Sequence, residues 1–183
     1  MTELPDDITM GKNSLEMLIV ANEYCLFMEE IENKSKKEIY DFVHRVMPLM
    51  YTKGSLLPDI EVEFPEANMR FVTEEQWERL FTELREEFGD QDEFWIIDPQ
   101  YINETEPLKA SLSENLADIY QDMKDFILLY QKNTVAARQN AISDCKKLFS
   151  NHWGYNISNI MAQLHHLIYH SEDDFMDDQI DIF

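Results

Sequence analysis

Residues 111–130 read SLSENLADIYQDMKDFILLY, followed by TVAARQNAISDCKKLFSN over 134–151 and HWGYNISNIMAQLHHLIYH over 152–170. In the first string Leu112, Leu116, Ile119, Tyr120, Met123, Phe126, Ile127 and Tyr130 recur at the three- and four-residue spacing that places side chains on one face of a helix. Ala137, Ala141, Ile142, Cys145 and Leu148 do the same in the second. A third helix is expected from about Asn156 to Tyr169, with Ile160, Met161, Leu164, Leu167 and Ile168 inward. Connections this short make the three helices antiparallel neighbours, which decides for an all-α fold.

Upstream, the same reading yields three more helices. Asn13-Ser14-Leu15-Glu16 resembles a capping box, in which a side-chain oxygen and a glutamate satisfy each other's free N–H groups. It predicts a helix to about Glu30 with Leu15, Leu18, Ile19, Asn22, Cys25 and Leu26 inward. Ser35-Lys36-Lys37-Glu38 opens a second, with Ile39, Phe42, Val43, Val46 and Met50 inward, a kink at Pro48 and a stop at Gly54 as a left-handed terminal residue. Thr73-Glu74-Glu75-Gln76 opens a third carrying Trp77, Leu80, Phe81, Leu84 and Phe88, closed by Gly89.

Ile60, Val62 and Phe64 alternate as an extended segment would, but no partner strand is in sight. In the long connection from Asp90 to Ala110, Phe94, Trp95, Ile96 and Ile97 are expected to plug a gap in the core, the alternative being an exposed aromatic anchor. The expectation is one all-α domain spanning 1–183, a bundle of about six helices, up-down or orthogonal. Its ordered core covers about 13–170 and an acidic tail covers 171–183.

The 37 acids and 15 bases give a formal net charge of -22, which repels polyanions and anionic lipid surfaces. No nucleic-acid partner is therefore expected; Lys34, Lys36 and Lys37 lie among Glu29, Glu30, Glu32 and Glu38 rather than in a basic stripe. No stretch approaches the ~20 apolar residues of a membrane span, and no membrane partner is expected. Cys25 and Cys145 fall at apolar helical positions, as reduced, buried thiols of a cytoplasmic protein would, and no apolar signal segment is apparent. The hydrophobic fraction of 44% is ample for a folded core.

Catalytic patterns are sparse. Glu74-Glu75-Gln76-Trp77-Glu78 matches the first half of the carboxylate cage of all-helical nucleotide pyrophosphohydrolases. The only nearby second half, Glu87-Phe88-Gly89-Asp90, lies on the same helix and cannot face it. No glutamate precedes a histidine by three, which excludes the di-iron bundle pattern. His166 and His170 stand one turn apart and are weak metal candidates lacking a third ligand; no cofactor is implied. Asp118, Asp122 and Asp125 share one helix face, where like charges repel by about 0.2–0.5 kcal/mol per pair. They read as a solvated face, or else as a docking face for a basic partner.

Leu116-Ala117-Asp118-Ile119-Tyr120-Gln121-Asp122-Met123-Lys124, then His152-Trp153-Gly154 and Leu164-His165, resemble in order and spacing the uncharacterised bacterial family of domain of unknown function 5063. The likeness is densest over roughly the last sixty residues and weaker before them. It implies a single all-helical cytosolic protein and no mechanism. If its strings mark a shared site, the matching residues are Asp118, Tyr120, Asp122, His152, Trp153 and His165; otherwise Trp153 and Gly154 form a packed helix corner.

Two functions stay open. One is an interaction or adaptor protein that binds a basic protein surface. The other is a small-ligand or metal-dependent enzyme using Asp118, Asp122, His152 and His165. Because Glu172, Asp173, Asp174, Asp177, Asp178 and Asp181 give the tail few buried contacts to lose, deleting residues 171–183 should leave the melting temperature nearly unchanged. A large drop in calorimetry would mean that Phe175, Ile180 or Phe183 docks on the body.

Overall fold

Ser35 opens α2 (Lys36–Ser55) by accepting the N–H of Glu38, while the Glu38 carboxylate accepts the N–H of Ser35. Thr73 and Gln76 make the same reciprocal pair at the start of α3 (Glu74–Phe88). Ser111 and Thr134 cap α4 (Leu112–Tyr130) and α5 (Val135–Asn151) through the N–H groups of Glu114 and Ala137. α1 (Lys12–Glu29) and α6 (Trp153–Tyr169) complete the six helices of this computed structural model, which describes residues 7–97 and 107–170. The expected tail at 171–183 lies outside the described residues.

α4 occupies the middle, packed against α1, α3, α5 and α6, while α2 closes over α1 and α6. Its anticipated inward residues, Leu112 through Tyr130, are all buried. None of the helices described is long and apolar enough to cross a membrane. Cys25 and Cys145 are free and buried, and burial pushes both thiols far above their ordinary pKa.

The structure revises several local expectations. α1 begins after Gly11, with no side-chain cap, so Asn13-Ser14-Leu15-Glu16 lies inside its first turns and Ser14 is buried. Its inward face is Met17, Val20, Ala21, Tyr24, Cys25 and Met28, whereas Ile19 and Leu26 are 58% and 54% exposed. Apolar residues surround most of this helix, so periodicity alone does not select a face. Packing does, helped by the buried Tyr24 hydroxyl donating to the Leu116 carbonyl at 2.8 Å.

The connection between α3 and α4 also differs from expectation. Glu93–Ile96 (β1) pairs antiparallel with Leu108–Ser111 (β2), Phe94 opposite Ala110 and Trp95 opposite Lys109. A strand sends successive side chains to opposite faces. Phe94 therefore enters the core, but Trp95 and Ile97 stand 68% and 83% exposed rather than plugging a gap. Buried Asp92 fastens this ribbon to α4, accepting the Ser113 N–H at 2.7 Å and the hydroxyls of Ser111 and Ser113. Residues 60–64 form no strand; the segment from 56 to 73 is an irregular strap with one 3-10 turn, Pro65–Ala67.

Gly89 does end α3, at φ +55°. Gly54 has another role: it lies within α2 and lets the indole of Trp153 approach, since a Cβ there would sit 2.2 Å from the ring. α6 starts earlier than expected, at Trp153 itself, and that fully buried side chain donates to the Cys145 carbonyl at 2.9 Å. At Gly154 a Cβ would meet the Phe149 carbonyl oxygen at 2.2 Å. The corner between α5 and α6 is thus built from two glycines and one indole.

Trp153→Ala should cost about 3–5 kcal/mol in denaturant unfolding, as large-to-small core changes do. Gly54→Ala should cost about 1–3 kcal/mol by overpacking. The double substitution should cost less than the sum, because the new methyl occupies space the indole vacated.

Candidate functional site

The three aspartates of α4 do not form a solvated face. Asp122 and Asp125 are 5% and 4% exposed, and Asp118 is half-buried. Their expected exposure fails because the strap, α3 and the α5–α6 corner bring donors to them. Such pairing is what burying a carboxylate requires. Asp125 accepts the N–H groups of Phe71 and Val72 at 2.7 and 2.9 Å from one oxygen, and the other oxygen lies 3.3 Å from the Arg70 guanidinium. Arg70 also reaches Asp122 at 3.6 Å and Asp144 at 3.3 Å.

Asp122 meets His152 Nδ1 at 2.5 Å, and His152 Nε2 stands 3.7 Å from Asp118. The outer carboxylate, Asp118, accepts the Trp77 indole N–H at 2.9 Å and the Asn156 amide at 3.4 Å. Over this network opens a cleft of about 410 Å³, lined by Arg70, Gln121, Asp122, Leu148, Asn151 and His152.

The hydrogen bond to Asp122 holds the His152 imidazole above its ordinary pKa, against the opposing effect of burial. Asp118 is also raised, chiefly by burial, although Trp77 and His152 pull it down. Chemically, the arrangement is an aspartate–imidazole pair whose second nitrogen faces another carboxylate, beside a guanidinium shared by three acids. It can hold an imidazolium, pass a proton, or lock the strap to α4 and α5.

Of the residues singled out in the sequence, Asp118, Asp122 and His152 converge here. Tyr120 instead turns toward α1, donating to Glu29 at 3.0 Å. Trp153 belongs to the core. His165 is exposed on α6, its ring 6.3 Å from His44 of α2 and 4.7 Å from Tyr169. His166 and His170 stack with ring centres 6.0 Å apart, and among the described residues no three His, Cys, Asp or Glu side chains converge as a metal site.

Sequence reasoning missed Arg70, Trp77, Asn156 and Asp144 as members of the network. Arg70 had a signal: it is the one base between Lys53 and Arg79, within a strongly acidic stretch.

The model of the family described as Domain of unknown function (DUF5063) matches residues 9–170. The crystal structure of protein BF1032 from Bacteroides fragilis is similar at 32% identity and a TM-score of 0.79, covering 90% of this chain and 98% of that one. No curated protein matches the chain.

Because His152 carries a raised pKa in the folded state, its contribution to stability is fully present below the unfolded value of about 6.5 and lost as pH rises through the folded one. Asp122→Asn should move the His152 titration, followed by NMR, back toward 6.5 and flatten that dependence. It should also destabilise the fold by about 1–3 kcal/mol, since a buried donor set loses its charged acceptor. A solvated Asp122 would have predicted no loss, so unchanged stability would contradict the network.

Proposed function

We propose, starting from the fact that the chain belongs to the DUF5063 family of domains of unknown function, that it is an interaction protein binding a basic protein surface through the strap between α2 and α3. The observation that carries this reading is that the strap is held down from beneath yet presents acids and apolar groups outward. Asn140 donates to the Phe64 carbonyl at 2.8 Å, Asn68 donates to Asp144 at 3.3 Å, and Asp125 takes the N–H groups of Phe71 and Val72. The carboxylates of Glu61, Glu63 and Glu66 are exposed and form no ion pair among the described residues. Phe64 and Met69, between and beside them, are 52% and 50% exposed.

A surface already fixed in shape loses little entropy when a partner docks. A net charge of -22 steers cationic partners toward it. On this reading Asp122, His152 and Arg70 position the strap and make no direct contact with the partner. The setting we infer is the bacterial cytoplasm, consistent with two reduced, buried cysteines.

A second reading, a small-ligand site with His152 as acid–base group, is favoured by one feature. The imidazole is 39% exposed at the mouth of the cleft while Asp122 orients it. That role would appear as a ligand-induced melting shift abolished by His152→Gln, with protein capture unaffected.

The test of the interaction reading is affinity capture from the native cell with the parent and with Glu61→Lys/Glu63→Lys/Glu66→Lys. The parent should retain a basic protein that elutes at about 1 M salt, where fields extend only about 3 Å. The triple variant should keep the parent's melting temperature and lose that protein. Equal capture by both, or capture of acidic proteins only, would overturn the assignment.

A further inference from the structure

On the side of α4 away from the strap, α1, α3 and α4 enclose a depression of about 300 Å³. Its floor is apolar, formed by the buried side chains of Met28 and Leu80. Its rim holds charges of both signs, with Glu29 and Lys124 on one side and Arg79 and Glu83 on the other. Taken together, two cations and two anions make the rim formally neutral in a chain of net charge -22.

The pairing at the rim is incomplete. Glu29 Oε1 receives both the Tyr120 hydroxyl, at 3.0 Å, and the Lys124 ammonium, at 2.5 Å, while Oε2 has no partner among the described residues. Arg79 uses Nε toward Glu83 at 2.7 Å and one terminal nitrogen toward Glu32 at 3.6 Å, and its other terminal nitrogen has no partner among the described residues. The Tyr120 hydroxyl donates this bond and so fixes Glu29 as an acceptor, and burial pushes the phenol's pKa above its ordinary value.

We propose that this depression binds a free α-amino acid with an apolar side chain. The ligand carboxylate meets the guanidinium of Arg79 and the ammonium of Lys124. Its ammonium meets Glu29 Oε2 and Glu83, and its side chain lies on Met28 and Leu80. A guanidinium suits a carboxylate because two of its donors match two oxygens, and the volume lies at the small end of ligand pockets. The site shares no residue with the strap, so it stands or falls independently of the interaction reading.

The experiment is calorimetric titration of the full chain with L-leucine, L-methionine and L-phenylalanine to about 10 mM, ten times the ~1 mM constant suited to a ligand of this size. At least one should bind saturably at one site per chain. N-acetyl-L-leucine, without the ammonium, and L-leucinamide, without the carboxylate, should each bind at least about tenfold more weakly than leucine. Arg79→Gln, a change at an exposed side chain, should keep the melting temperature and weaken binding about tenfold or more. No saturable binding by the three amino acids overturns the proposal. So does equal binding by either blocked derivative, or undiminished binding by the variant.

Discussion

A helix enclosed by neighbours on nearly every side has to find a partner for each charge it carries, and α4 is such a helix. Transferring an ionised carboxylate out of water costs several kcal/mol unless donors replace the lost hydration. Asp118, Asp122 and Asp125 therefore recruit the elements around them: the indole of Trp77 from α3, the backbone and guanidinium of the strap, the imidazole at the α5–α6 corner and the amide of Asn156 from α6. The arrangement of the strap and the corner follows from that requirement as much as from apolar packing. Breaking one pair leaves an uncompensated charge, so these contacts specify geometry more than they add net stability.

The corner supplies the complementary apolar constraint. Trp153 can reach over α2 only because Gly54 offers no side chain, and α6 can turn so tightly only because Gly154 leaves room for the Phe149 carbonyl. His152, the residue between the two helices, is thereby held where its ring meets Asp122. Packing and electrostatics are thus coupled through adjacent residues: the indole fixes the backbone, and the backbone aims the imidazole.

Much of this was readable from the chain. The capping strings at Ser35 and Thr73 act within four residues, so local sequence contains all they need, whereas the similar string at Asn13 lies inside α1 and caps nothing; the inward face of α4 followed from a clear apolar period. The phase of α1 was not readable, because its apolar residues leave no polar face to mark the outside. The role of Gly54 and the burial of Asp122 were hidden for a different reason. Their partners, Trp153, Arg70 and His152, lie far away in sequence, and composition carries no record of which distant side chain arrives. The family likeness pointed to Asp118, Tyr120, Asp122, His152, Trp153 and His165, of which only Asp118, Asp122 and His152 converge, and it held no sign that their charges are satisfied from within.

The two thiols divide the core between them. Cys25 lies on α1, which packs on α4 and α2, while Cys145 lies on α5, its carbonyl tied to the Trp153 indole. Each is sealed from solvent and held as an unreactive thiol by burial. A thiol-alkylating reagent can therefore reach either one only after the neighbouring helices separate, so each cysteine is a native reporter of opening at its own interface. The order in which the two become reactive would give the sequence in which the bundle loosens, with no label added to the chain.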